Sequence, residues 1–401
     1  MGVQVTGEAS GRNGTPATSS LEALRAEVLG CATCTACGAC VGLCPYIIAV
    51  DDNVASAGSC RIDGGRCYRF CPRTEDETAV GLGGDAGFTG NLGRVRAAYM
   101  ARAAGPGVDR GAAGGAPDGA TSIQHGGSVS TLLRQALRDG LVRTAVLTED
   151  AGAGSPRTVR AGTEAEVDAC RGSKFAVTPV VAEVNRALAA GRDGLGVVAL
   201  PCQATALVKM RTAGSGVPTL LGGVTPAAGI SLVVGLFCTW ALEQEGWRRL
   251  VRQRLGTGPF RRVDIPPPPA EVLVAERPDG SRSEAPLAEV RALVRPGCRV
   301  CMDMTAENAD LSVGMAETAP GWNTLLVRTP AGEDLVLRAV AAGALELRSV
   351  SVEGMAHLEA ASLGKKRRAS EEARTRLSAG DDPGAAESPY LARVASWEGV
   401  A

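Results

Sequence analysis

From residue 128 onward, short apolar runs alternate with stretches in which apolar residues recur every three or four positions. The spacing predicts a helix over 130–139, stopped by Gly140, and an apolar strand over 141–147. A helix at 180–190, a buried strand at 196–200 and a helix at 204–211 follow, then a strand at 230–237 and a helix at 242–255. The four prolines at 266–269 remove four backbone donors and make that segment a loop. Strands near 309–314 and 323–328 precede a helix at 335–342, and a polar helix covers 356–377. Such alternation predicts an α/β layer fold.

The first hundred residues read differently. Residues 1–18 are rich in Gly, Ser and Thr without periodicity, the composition of a disordered tail. Leu21, Leu24 and Val28 share one helical face and lead into a cysteine-dense segment. The Gly/Ala/Pro-rich stretch at 103–120 suits a linker or surface insertion. In the polar helix, the run Lys365, Lys366, Arg367 and Arg368 is expected to be a solvated face rather than a contact patch.

Charge excludes two classes of partner. Forty-two basic and 43 acidic residues leave a net charge of −1, so no global field draws the chain to nucleic acid. The longest apolar run, 230–237, is far short of the ~20 residues that a membrane-spanning helix needs. Sulfur is the oddity: the chain has 13 cysteines, as many as its Phe, Trp and Tyr residues together. Eight of the 13 fall between Cys31 and Cys71, and no charged leader with an apolar core precedes them, so a reducing cytoplasm is expected rather than a disulfide framework.

Cys34, Cys37, Cys40 and Cys44-Pro45 form C-x2-C-x2-C-x3-C-P, the bacterial ferredoxin run. A zinc site would call for paired C-x2-C units across a longer loop, or for histidines. The second run, Cys60, Cys67 and Cys71-Pro72, is irregular, because Asp63 stands where C-x2-C spacing would put a cysteine. The ferredoxin pairing rule assigns Cys34, Cys37, Cys40 and Cys71 to one cluster. Cys44, Cys60 and Cys67 go to another, with Asp63 or Cys31 as fourth ligand, a three-iron species or no cluster being the alternatives.

Later cysteines sit at predicted strand ends. Cys202 follows one strand and Cys238 ends another, and the carboxyl edge of a parallel sheet is where ligands collect. With the C-x2-C of Cys298 and Cys301 they make four thiolates, enough for one 4Fe-4S cube; two buried small residues beside a zinc half-site are the bland alternative. Cys170 is read as structural.

Seven segments occur in order: 124–127 (QHGG), 172–175 (GSKF), 201–203 (PCQ), 235–238 (GLFC), 297–303 (GCRVCMD), 309–314 (ADLSVG) and 321–322 (GW). The series resembles the coenzyme F420 hydrogenase/dehydrogenase beta-subunit family over roughly residues 80–350, preceded by a ferredoxin-like module as in longer members. The resemblance implies an α/β domain with a mixed or parallel sheet that binds FAD, after a small α+β ferredoxin-like domain. The expected boundaries are 1–18 (tail), 19–80 (iron–sulfur), 81–350 (flavin and cluster) and 351–401 (helical extension).

It further implies one 4Fe-4S cluster on Cys202, Cys238, Cys298 and Cys301, hence two or three clusters in all, and coenzyme F420 as substrate. Gln124, His125, Gly126, Gly127, Ser128, Ser130, Ser173, Lys174 and Thr178 become the candidate flavin contacts. The glycine pair before a helix start suits close approach to a phosphate or flavin edge. Lys174 offers positive charge near a reduced ring, a surface lysine being the alternative. Two positions depart from the family pattern, His125 where Asp is usual and Phe175 where Tyr is common. The expected partner is a hydrogenase, formate dehydrogenase or heterodisulfide-reductase type subunit, or ferredoxin. Competing expectations are a ferredoxin-dependent reductase of a chlorophyll-type tetrapyrrole and a non-catalytic electron-transfer adaptor without FAD.

Overall fold

Runs such as Ile230–Leu236 and Asn323–Val327 are apolar on both faces, so they must be covered on both sides, and they form the centre of a sheet. The computed structural model describes residues 19–74, 90–105, 125–151, 155–213, 224–266, 269–316, 318–379 and 385–398. Among them, an eight-stranded mixed sheet runs in the order Leu345–Ser349, Ala97–Ala103, Asn323–Val327, Leu311–Met315, Ile230–Leu236, Leu195–Ala199, Thr144–Asp150 and Pro156–Ala161. The four strands from Leu311–Met315 to Thr144–Asp150 are mutually parallel. Antiparallel strands complete both flanks.

Helices cover both faces. Val180–Ala189 and Pro201–Thr212 pack on one through Val181, Val184, Leu207 and Met210. Ser128–Arg138 and Pro330–Ala341 pack on the other through Leu132, Leu133, Leu335 and Val336. The α/β class with a mixed sheet therefore matches the expectation. A smaller three-stranded antiparallel sheet, Arg262–Asp264, Val272–Glu276 and Arg282–Pro286, stands beside it over a core of Trp247, Leu250, Leu273 and Val290.

The N-terminal cysteine-rich unit combines short helices with the hairpin Ile47–Val50 and Asn53–Ser56. It is clamped to the sheet unit by hydrogen bonds. Asn185 Nδ2 donates to Ala39 O at 3.0 Å and Val41 O at 2.8 Å, and the Gln244 N–H donates to Asp52 Oδ2 at 2.9 Å. The C-terminal helix Val352–Ala379 crosses the same junction and holds the short helix Pro389–Ala395.

Several boundaries differ from the expected ones. The first central strand starts at Thr144 rather than 141, and the helix after Cys202 begins at Pro201, so Cys202 lies in its first turn. The Gln244–Leu250 helix widens into a π-turn over Val251–Leu255. The basic run of the C-terminal helix is not a solvated face: Lys365 is buried and Lys366 half-buried, and Arg367 and Arg368 are exposed. The 1–18 tail, residues 106–120 of the Gly/Ala/Pro stretch, Gln124 and prolines 267–268 lie outside the described residues.

Candidate functional site

The parallel strands deliver Thr148, Leu236 and Met315 to one edge of the sheet, where a cavity of about 500 Å³ opens. That volume is typical of small-molecule and cofactor sites, ~300–1,000 Å³. His125, Gly127, Ser128, Ser130, Ser173, Lys174 and Thr178 all line it, and Gly126 lies immediately behind the wall.

The glycine pair is dictated by packing. A Cβ on Gly126 would stand 2.6 Å from Asn323 Oδ1 and 2.7 Å from Ala101 O. Gly127 adopts φ 69°, the left-handed region that favours glycine, and precedes the Ser128–Arg138 helix. Ser128 is spent on the fold: its N–H donates to Asn323 Oδ1 at 3.2 Å and its hydroxyl to Ala101 O at 3.1 Å. Thr178 Oγ1 meets Thr148 Oγ1 at 3.0 Å, and its carbonyl accepts from Gln203 Nε2 at 2.8 Å.

Lys174 Nζ donates to the carbonyls of Cys170, Arg171 and Gly172 at 2.5, 2.8 and 3.0 Å, the exposed C-terminal end of the Glu164–Ala169 helix. Burial depresses its pKa to about 8, against the pull of Cys170, Asp150 and Glu149. His125 Nε2 lies 3.9 Å from Asp264 Oδ1. Burial lowers the pKa of this imidazole, Asp264 opposes that, and Arg262 adds to it. Phe175 packs between Trp240 and Trp247, with ring centroids 6.3 and 5.9 Å away.

Four cysteines from distant segments gather beside the cavity. Cys202 enters from a helix start, Cys238 from just past a strand, Cys298 from the Pro296–Arg299 turn and Cys301 from the loop after it. Burial raises the pKa of Cys202, and the neighbouring Cys37, Cys301 and Cys298 thiols raise it further. Cys238 is raised by burial and by Cys298, Cys202 and Cys301, with Lys365 opposing. Cys301 is the exception, because Lys365 and Arg73 outweigh its burial and hold the thiol below its ordinary value. Cys238 also forms part of the cavity wall.

Cys34, Cys37, Cys40 and Cys71 line a second, small enclosed cavity under Leu24, Val28 and Pro72. Burial pushes Cys37 and Cys71 up to about 12. Cys44, Cys60 and Cys67 form a third group nearer the surface, where burial and then Cys44 and Cys60 raise Cys67. Cys31 does not join it. Its thiol donates to Glu27 O at 2.6 Å and is buried with Val300, Ala369 and Tyr390, and Asp63 is exposed. Among the described residues, no three His, Cys, Asp or Glu side chains converge as they would around a single metal ion. All 13 cysteines are free of disulfides.

The group of Cys202, Cys238, Cys298 and Cys301 (the inner one) and that of Cys34, Cys37, Cys40 and Cys71 (the middle one) touch through their backbones, Cys44, Cys60 and Cys67 being the outer group. A Cβ on Gly297 would lie 2.4 Å from Cys34 O and 2.5 Å from Thr33 O, so only glycine lets the two cysteine loops meet. Sequence reasoning missed the buried cations at this junction, Arg73, Lys209 and Lys365, together with Tyr390. Lys209 Nζ donates to Cys71 O and Thr74 O, each at 2.8 Å. The one signal in the sequence was Arg73, placed directly after a cluster-type Cys-Pro.

Comparison with known proteins identifies this architecture. Residues 111–185 match the N-terminal portion of the family described as coenzyme F420 hydrogenase/dehydrogenase, beta subunit, and residues 193–353 match its C-terminal portion. The coenzyme F420 hydrogenase subunit beta of Methanothermobacter thermautotrophicus is 31% identical over 255 residues, covering 61% of this chain and 86% of that protein. The chain belongs to the coenzyme F420 hydrogenase/dehydrogenase beta-subunit family. It is an oxidoreductase of that type.

Other members of the family are more distant. A subunit of the F420H2 dehydrogenase of Methanosarcina mazei is 26% identical, covering 77% of this chain and 82% of that protein. The coenzyme F420-dependent sulfite reductase of Methanocaldococcus jannaschii is 24% identical over 77% of this chain, but over only 46% of its own length. In fold, the chain is similar to one in the xenon-derivatised F420-reducing [NiFe] hydrogenase complex from Methanosarcina barkeri. That match has a TM-score of 0.62 and 21% identity, covering 75% of this chain and 99% of the other. Among the described residues, no helix is long and apolar enough to cross a membrane.

Proposed function

We propose that the chain binds FAD in the 500 Å³ cavity and 4Fe-4S clusters in the cysteine groups, and passes electrons between coenzyme F420 and a partner protein. The observation that carries this reading is Cys238, which belongs at once to the cavity wall and to the four-cysteine group. Soft sulfur ligands gathered in fours are the donor set of an iron–sulfur cube, and Cys34, Cys37, Cys40 and Cys71 line a small cavity of their own. When bound, FAD converts between the hydride of the deazaflavin and the single electrons carried by iron and sulfur.

The chain's own residues supply binding and electrostatics. Gly127 and the first turn of the Ser128–Arg138 helix line the cavity, and a helix start suits a phosphate or a ring edge, with the Ser128 N–H already held by Asn323 Oδ1. Lys174 sets one positive charge on the wall, and Phe237 and Trp240 line it with apolar surface that limits water. Cys202, Cys238, Cys298 and Cys301 would hold the inner cluster, and Cys34, Cys37, Cys40 and Cys71 the middle one. Cys44, Cys60 and Cys67 offer three ligands to an outer one. The relatives named as subunits support a partner protein, and the ferredoxin-like unit is the face at which electrons would leave or enter.

The test is anaerobic purification with iron, sulfide and FAD counted per chain, followed by addition of reduced F420. About eight or more iron atoms are expected, at four for each complete four-cysteine set, with one FAD and bleaching of its absorbance. A chain that holds iron but no flavin, or a flavin that reduced F420 leaves untouched, overturns the proposal.

A further inference from the structure

Four cations are buried against the cysteine groups; Arg295 is held in an ion pair with Asp52, and each of the other three addresses a different set. Arg73, only 4% exposed, donates from Nε to Thr33 O at 3.3 Å and from Nη2 to Gly297 O at 2.9 Å. One guanidinium is thus bonded to the residue before Cys34 and to the residue before Cys298, bridging the loops of the middle and inner groups. Its Nη1 donates to the Tyr390 hydroxyl, its Cζ lies 4.3 Å from the Tyr390 ring centroid, and that hydroxyl donates to Val300 O at 3.0 Å.

Lys365 Nζ donates to Cys238 O at 2.6 Å and Asp303 O at 2.7 Å, which places it on the inner group alone. Lys209 is bonded to Cys71 O, on the middle group alone. Burying a cation is unfavourable unless negative charge faces it. Arg73 bonds two carbonyls, the Tyr390 hydroxyl and the Cys301 thiol, and Lys365 bonds two carbonyls, with the cysteine thiols and the Asp303 carboxylate facing it.

We infer that Arg73 is a positioning residue shared by the inner and middle clusters that raises both reduction potentials together, while Lys365 raises the inner one only and Lys209 the middle one only. This rests on the cluster assignment proposed above. An added electron makes a cluster more negative, so a fixed positive charge in a dry, weakly screening surrounding favours the reduced form. A cation common to both clusters moves their potentials in step and leaves the driving force for transfer between them unchanged. Lys365 and Tyr390 both lie beyond the residues matched by the family profiles, which end at 353. The inner cluster is therefore tuned from a C-terminal arm.

The experiment is an EPR-monitored redox titration of the anaerobic holoprotein and of Arg73→Gln, Arg73→Lys, Lys365→Gln and Lys209→Gln, with iron and sulfide counted first. Arg73→Gln is expected to lower two midpoint potentials, each by at least a tenfold loss of reduced form at fixed potential, ~59 mV for a one-electron couple. Lys365→Gln is expected to lower one of those two and Lys209→Gln the other. Arg73→Lys, which keeps the charge, should stay near the parent, and it carries the test if Arg73→Gln fails to load iron. Unmoved midpoints with iron retained overturn the inference alone. So does a fall in Arg73→Lys as large as that in Arg73→Gln, or a shift of the same signal by both lysine variants. Absence of iron and sulfide from the parent chain overturns the cluster assignment and the inference together.

Discussion

Gly126 owes its identity to neighbours distant in sequence, since Asn323 and the strand at Ala101 fill the space a side chain would take. Gly126→Ala is expected to cost ~1–3 kcal/mol through forced displacement of that strand pair, read as a lower denaturation midpoint and weaker flavin retention. Lys174 gives a pH prediction. Its amine carries a charge below about 8 and is neutral above it. Affinity for an anionic ligand in the cavity should therefore fall as pH rises through that value, measured by titration with the reduced, anionic flavin, and Lys174→Met should flatten the profile. Stability runs the other way. The unfolded chain holds that proton up to the usual lysine range, so the unfolded state binds more protons between about 8 and 10.5, and this residue's contribution to stability rises with pH there. At single positions, the sequence disclosed the cysteines because their ligand spacing is short and repetitive. It was silent on Lys209 and Lys365 and marked Arg73 only as the residue after Cys71-Pro72, since what makes each a buried cation is a set of carbonyls brought in by folding.

The helix Val352–Ala379 was expected as a polar helix over 356–377, but the face by which it packs was illegible. The positions that pack are Ser362, Ala369, Ser370 and Ala373, small or polar residues that leave no apolar stripe in the pattern. Its amphipathicity is written in size instead of hydrophobicity, and periodicity arguments do not see size. The strand Ala97–Ala103 was missed for a related reason, being rich in alanine and interrupted by arginine. The strands of the smaller sheet are three to five residues long and studded with charge. The central strands and their helices were legible because they are apolar on both faces and bounded by glycine or proline. Placing a carboxylate on the packed face of the C-terminal helix tests its hold. Ala373→Glu, at a fully buried site against Leu391 and Val394, should lower the thermal midpoint by several degrees. It should also hasten bleaching of the visible absorbance in air, because the same helix carries Lys365 against the inner group.

Across the molecule, the proposed redox sites form a single file: cavity, inner cysteines, middle cysteines, outer cysteines, with Cys238 joining the first pair and Gly297 the next. Removing one ligand of the inner group should break the file without emptying the cavity. In Cys202→Ser, rapid mixing with reduced F420 is expected to bleach the flavin as in the parent while the iron–sulfur absorbance changes slowly or not at all. Gly297→Ala should part the two loops and slow the same step with iron content retained, a distinction that separates contact from occupancy. The order of these parts along the polypeptide has its own consequence. The inner ligands lie between residues 202 and 301, but the groups that close over them, Lys365 and Tyr390, are made after every cysteine. During synthesis there is thus an interval in which all of the ligands have left the ribosome and the lid over them has not. On the proposed cluster assignment, iron delivered in that interval would meet an open cradle, and iron arriving later would have to wait for the arm to lift.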